Sequence, residues 1–128
     1  MLCLCCLGSL SHSAQASYFD GMEAYRLNDY QTAMREFKAV EDDAKALYMV
    51  GIMYEKGESI SANLTEAASW FRKAADKGYS PAQYRLGRLY ERGLGVEQNM
   101  DEALAWYKKS SRNGNIDAKQ ALKRIEAK

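Results

Sequence analysis

A chain of 128 residues, 47% apolar and 27% charged, holds enough sequence for one domain with a packed interior. Its net charge is +1, and it lacks the dense run of Lys and Arg with interleaved exposed aromatics that phosphate-binding surfaces need, so nucleic acid is excluded as the expected partner. The charge is nevertheless uneven: residues 17–56 hold five Lys/Arg against eight Asp/Glu (net −3), and residues 57–128 hold thirteen against nine (net +4).

Residues 1–16, MLCLCCLGSLSHSAQA, contain no charged side chain and all three cysteines. A short apolar stretch, a polar region and the Ala14-Gln15-Ala16 triplet form the pattern of an export signal cleaved after Ala16, although the usual Lys or Arg ahead of the apolar stretch is missing. Ser17 is then the mature start, and residues 17–128 form the folded domain. The segment is too short to span a bilayer, and no later stretch is a transmembrane candidate. Cys3, Cys5 and Cys6 lack the second half of any zinc pattern, so no metal or other cofactor is expected. Cleavage also removes His12, leaving a mature chain with neither Cys nor His.

The first predicted helix pair runs from Tyr18 to Leu27 and from Tyr30 to Val40, joined by Asn28-Asp29, with Ala24, Tyr25, Tyr30, Ala33 and Phe37 at helical spacing. Two longer units follow. Residues 46–80 align on residues 82–116 without a gap, giving twelve identities in 35 positions and a period of 36 residues. Such a period marks a solenoid, in which each unit buries its apolar face on its neighbour. The first helix of each long unit is expected at about Asp43 to Lys56 and Pro81 to Arg92. Gly51 and Gly87 sit inside them, and since a helical glycine costs about 1 kcal/mol relative to alanine, close helix contact is the expected compensation.

The second helices open on Asn63-x-x-Glu66 and Asn99-x-x-Glu102, both capping-box patterns. They carry Ala67, Trp70, Phe71 and Ala74, or Ala103, Trp106, Tyr107 and Ser110, and stop at Gly78 or Gly114, a residue type that tolerates a left-handed terminal conformation. Ser80-Pro81-x-Gln83 reads as a serine cap, a first-turn proline and a closing Gln. A last helix from Ile116 to Ala127 repeats the first-helix pattern and is expected to cover the end of the stack. The count is seven helices, with units at about 17–42, 43–78, 79–114 and 115–128, and no strand signal.

The strings at Ala46 to Gly78 and Ala82 to Gly114, AxYxxGxxYExG followed by N-x-x-E-A-x-x-W-[FY]-x-K and a closing Gly, resemble the Sel-one-like repeat, a relative of the tetratricopeptide repeat. The resemblance implies an all-α fold: a right-handed α/α solenoid of two full Sel-one-like repeats, a shorter tetratricopeptide-like helix pair before them and a capping helix after. It further implies a non-catalytic adaptor for a protein or peptide, in a bacterial periplasmic or secreted setting, with a cytoplasmic location as the alternative. One cysteine-rich branch of the family is linked to penicillin binding, but no serine here begins an S-x-x-K motif and paired cysteines are lacking. A cell-wall or β-lactam-processing enzyme is therefore the second reading. A self-associating spacer that stacks its −3 and +4 ends is the third, against an expected monomer.

Residues that recur between units build the stack, so the aromatics at Trp70, Phe71, Trp106 and Tyr107 are read as core and not as a ligand platform. Partner choice belongs to positions that differ. In tetratricopeptide-like solenoids the first helix of each pair lines the concave side, which singles out Met49/Arg85, Ile52/Arg88 and Lys56/Arg92. Arg85, Arg88 and Arg92 fall at i, i+3 and i+7 on one helix face, suited to an acidic peptide or a carboxyl terminus, with Met49 and Ile52 beside them for an apolar side chain; the other reading is a solvated arginine face beside apolar residues covered by the first unit.

Overall fold

The computed structural model describes residues 18–128, so the expected leader at residues 1–16 lies outside it. The described residues form seven helices and no strand: α1 (18–26), α2 (Tyr30–Lys38), α3 (Ala44–Lys56), α4 (Leu64–Asp76), α5 (Ser80–Arg92), α6 (Met100–Arg112) and α7 (Ile116–Glu126). Contact runs from each helix to the next in sequence, α2 on α3, α3 on α4, α4 on α5, α5 on α6 and α6 on α7, which is the solenoid order.

Each helix pair is closed by the same wedge. A Cβ placed on Gly51 would meet the Phe71 ring at 2.6 Å, and one on Gly87 would meet the Tyr107 ring at 2.8 Å. The glycines thus let the second helix press a ring onto the first helix's backbone. A tyrosine one turn earlier packs on the same ring, Tyr48 on Phe71 with centroids 5.7 Å apart and Tyr84 on Tyr107 at 5.8 Å. The short first unit does this as well: a Cβ on Gly21 would lie 2.7 Å from the Phe37 ring, and Tyr18 packs on Phe37 at 6.0 Å. Phe37, Phe71 and Tyr107 are fully buried, each with an alanine one turn before it, Ala33, Ala67 or Ala103, that is equally buried.

The units are joined by apolar positions on the other side of the first helices. Val50 and Met53 pack with Phe37 and Ala33 of the preceding unit, and Leu86 and Leu89 pack with Phe71, Ala74 and Ala75. All four are at most 3% exposed.

Helix ends follow the expected chemistry with two corrections. Asn63 Oδ1 accepts from the Glu66 amide at 3.0 Å and Asn99 Oδ1 from the Glu102 amide at 3.1 Å, but each capping box is only half made. The cap amides of Asn63 and Asn99 instead donate, at 2.9 Å, to the carbonyls of Tyr54 and Tyr90 in the preceding helix. They tie the seven-residue loop to its own unit, so neither glutamate receives the cap amide. The expected serine cap of α5 is absent: Ser80 is the first helical residue, Tyr79 precedes it, and no side chain caps the helix. Ser80 and Gln83 are engaged otherwise. The Ser80 carbonyl accepts from Ser110 Oγ at 2.7 Å, while Gln83 is buried, donating to the Ala75 carbonyl at 3.1 Å and accepting from Asn113 Nδ2 at 3.0 Å. These bonds stitch α5 to the ends of α4 and α6.

Gly78 and Gly114 take positive φ (88° and 89°) after α4 and α6, as the closing glycines should. The loops between α3 and α4 and between α5 and α6 each turn through a left-handed residue two positions after the helix-ending glycine. Gly95 (φ 73°) fills that place in one and Ser59 (φ 59°) in the other.

Candidate functional site

Positions equivalent between units trace one side of the stack. Taking the wedge glycines Gly21, Gly51 and Gly87 as reference, the residue after them is Met22, Ile52 or Arg88, and five after them lies Arg26, Lys56 or Arg92. Three polar contacts join the first helices across this side. Lys56 Nζ lies 3.5 Å from Tyr25 Oη, Arg85 donates to both oxygens of Glu55 at 3.0 and 3.3 Å, and Arg124 donates to Glu91 at 2.6 Å. The sequence of α1, α3, α5 and α7 is therefore a continuous face.

Its most enclosed part is a cleft of about 770 Å³ between α5 and α7, with Tyr84, Arg88, Glu91 and Arg92 on one wall and Asp117, Gln120 and Arg124 on the other. Glu91 lies at its base, accepting from Tyr107 Oη at 2.5 Å and from Arg124. Burial favours the protonated carboxyl, but these two donors outweigh it and hold the Glu91 pKa below the usual carboxylate range. The Tyr107 hydroxyl is pushed up, first by burial and then by the bond to Glu91. Glu91 is thus ionised and occupied, and it spends the charge of Arg124.

Arg88 and Arg92 differ from that pair. Arg88 is half-buried with its guanidinium 6.0 Å from the Tyr84 ring, Arg92 is exposed, and among the described residues no carboxylate lies within ion-pair distance of either. Two forked, permanently charged donors therefore face the cleft without an internal acceptor. Arg85, the third member of the expected stripe, is half-buried and held by Glu55; burial works against its charge, and Glu55 with Tyr48 more than restores it.

Met49 is half-buried on the same side of α3, whereas Ile52 is only 6% exposed and belongs to the core shared with α4 and α5. The five singled-out residues consequently divide: Arg88 and Arg92 come together at the cleft, Arg85 is one turn away and paired, Met49 lies on the next helix, and Ile52 is packing. The contribution of α7 was missed. Its signal was present, since Arg124 stands 36 residues after Arg88 and continues the repeat register into the last helix.

At the other end of the face, Phe19, Met22, Tyr25 and Tyr30 line an apolar hollow on α1 and the start of α2, flanked by Glu23 and Arg26, which pair with each other at 2.6 Å. Tyr25 donates to Glu58 at 3.0 Å, and burial together with that carboxylate pushes its pKa up to about 12. The tryptophans lie on the second helices, away from this face. Trp106 is buried, and Trp70 is half-buried beneath Lys73 and Lys38, whose ammonium groups sit 4.1 and 5.6 Å from its ring.

No helix among the described residues is long and apolar enough to cross a membrane, and no cluster of His, Cys, Asp and Glu among them is arranged to hold a metal ion. Residues 44–79 and 80–115 each match the family model described as Sel1 repeat. Among solved structures, a Sel1 repeat protein from Oxalobacter formigenes is similar with a TM-score of 0.77 and 33% identity, over 81% of this chain and 44% of that one. A protective antigen with an SLR fold from uropathogenic Escherichia coli strains gives 0.76 and 28%, over 82% of this chain and 24% of that one. The cysteine rich protein B of Helicobacter pylori gives 0.73 over 89% and 92% of the two chains, and at 23% identity that likeness bears on the fold alone. The chain thus spans less than half the length of the first two. A comparison with curated proteins finds no significant match.

Proposed function

The chain belongs to the Sel1 repeat family, commonly a protein-interaction scaffold, and from that premise we propose that it is a non-catalytic adaptor whose α5–α7 cleft binds a carboxylate-bearing segment of a partner protein. The observation that carries this reading is the pair Arg88 and Arg92. They line a concave site, no carboxylate among the described residues lies within ion-pair distance of them, and their counterparts in the earlier units are Met22 with Arg26 and Ile52 with Lys56, so the arginine cluster is not demanded by the repeat. Guanidinium forks recognise carboxylates by paired hydrogen bonds, and the net +4 of residues 57–128 favours approach of an acidic chain. Proteins of this repeat class are generally non-catalytic scaffolds, and Glu91, the acid nearest the cleft floor, is already engaged by Tyr107 and Arg124.

The test is fluorescence anisotropy with a labelled peptide containing four consecutive acidic residues. Binding to the native chain should weaken at least tenfold in an R88E/R92E variant whose circular dichroism is unchanged, and should also weaken as salt is raised. Binding that is indifferent to both would end this reading. Export to the bacterial envelope is part of the proposal and rests on the leader-like residues 1–16. Protein recovered from its native host should then have an intact mass that begins at Ser17; a mass that retains Met1 counts against export.

A further inference from the structure

We infer that the ligand is an extended segment with two unlike ends, a carboxylate cluster held at Arg88 and Arg92 and an apolar side chain seated roughly six residues away in the α1 hollow formed by Phe19, Met22, Tyr25 and Tyr30. This rests on the α5–α7 reading above and specifies what reaches beyond that cleft. Three observations support it.

The two hollows share three positions of the repeat, Met22, Tyr25 and Arg26 standing where Arg88, Glu91 and Arg92 stand, while Asp20 and Glu23 of the α1 hollow hold the places through which later first helices meet the preceding unit. The α1 hollow therefore borders one end of the face that carries the arginine cleft at its other end. Contacts of 3.5 and 3.0 Å carry that face from α1 to α3 and from α3 to α5. Along it the equivalent side chains change from Phe19 and Met22, through the half-buried Met49, to Arg85 and Arg88, from apolar to basic, with Ile52 packed beneath the face. Phe19 is 72% exposed and is among the largest apolar groups in contact with solvent.

Charge fixes which end of the ligand lies where. Residues 17–56 carry net −3, with Asp20 and Glu23 beside the α1 hollow, and repel an acidic segment; residues 57–128 carry net +4 and attract it. Spacing follows from the stack. Neighbouring helices lie about 8–10 Å apart, so α1 to α5 is roughly 20 Å, a distance that an extended chain rising about 3.3 Å per residue covers in roughly six residues. Seating a leucine-sized side chain in a half-open hollow adds about tenfold to affinity.

The experiment uses the full chain and three labelled peptides: an acidic tetrapeptide flanked by Gly-Ser, the same with a leucine six residues before the acids, and the same with a leucine six residues after. One leucine order should bind about tenfold tighter than the plain peptide, and M22K should remove that gain while the plain peptide's affinity is kept. F19S, which alters an exposed side chain, should act like M22K and guards against misfolding of either variant. Equal binding of all three peptides, or a gain that survives both substitutions, overturns the inference and leaves the arginine cleft standing. Failure of the plain peptide to bind at all removes both. Sedimentation showing a dimer that F19S and M22K dissolve, with no leucine gain, likewise overturns it.

Discussion

Glycine at the wedge positions is the most sharply constrained choice in the molecule. The rings opposite Gly51 and Gly87 are fully buried and cannot swing aside from a Cβ at 2.6 to 2.8 Å. Overpacking of this kind costs about 1–3 kcal/mol, against which the better helix propensity of alanine returns about 1 kcal/mol. G87A should therefore lower the free energy of urea unfolding by up to about 2 kcal/mol, and the loss should be much smaller in a Y107L background, where no ring meets the new methyl. Additive effects would disprove the wedge. The left-handed loop residues give a second, contrasting pair. A Cβ on Gly95 would fall 2.2 Å from the Leu64 carbonyl oxygen, a backbone atom that cannot yield. Ser59 holds the same place with a positive φ that a side chain adopts at a cost of about 1 kcal/mol. Thermal unfolding should accordingly show S59G neutral to stabilised by up to about 1 kcal/mol and G95A destabilised by more than 2 kcal/mol. At this scale the sequence was a good guide where one residue answers to its own backbone, as the asparagine caps do. It misled at Ser80, because a Ser-Pro pair at a helix start looks like a cap, whereas the helix starts one residue earlier than that pattern implies, with Tyr79 in the cap position and Ser80 already in the first turn.

Among the elements, α1–α2 was the hardest to read. Its glycine-to-ring spacing, Gly21 to Phe37, is four residues shorter than Gly51 to Phe71 or Gly87 to Tyr107, so an ungapped alignment hides a wedge that is geometrically the same. The two long units were legible because their loops have equal length and the identities stay in register. At the far end, α7 depends on α6 through Ala118 and Ala121 and on α5 through the Glu91–Arg124 bond. Glu91 has a lowered pKa in the folded chain, so its contribution is complete above the unfolded value of about 4.3 and is lost as pH falls through the lower, folded value. Arg124 is about half exposed, which limits the contribution to about 1 kcal/mol or less. Amide exchange in α7 should quicken between pH 5 and pH 3 relative to α3 and α4. In E91Q the α7 amides should exchange faster already at pH 7 and show less of this acid response. An E91Q profile that matches the native one would mean that the bond does not hold α7.

For the whole molecule, the residues at the two ends of the stack decide whether it grows. Inside, each first helix meets the preceding unit through Val50 and Met53 or Leu86 and Leu89, all buried. The equivalent places in α1 hold Asp20 and Glu23, both exposed. Inside, each first helix meets its following partner through Tyr48, Gly51 and Tyr54 or Tyr84, Gly87 and Tyr90; the equivalent places in α7 hold Gln120, Lys123 and Glu126, again exposed. At both ends polar or charged side chains stand where apolar or wedge residues join the inner units, which works against the burial that is the main driving force for stacking. The opposite net charges of the two halves give only a screened attraction between exposed groups, too weak by itself to hold a stack at physiological salt. We therefore expect a monomer in sedimentation velocity across a wide concentration range at 0.15 M salt. D20V/E23M, which places in α1 the residues of the next unit, should convert this face into a stacking surface beside exposed Phe19 and Leu27 and drive self-association that salt strengthens or leaves unchanged. Association of the native chain at low salt that vanishes as salt is added would instead make charge the organising force. In that case the −3 and +4 halves would be meeting head to tail, and the spacer reading would displace the capped monomer.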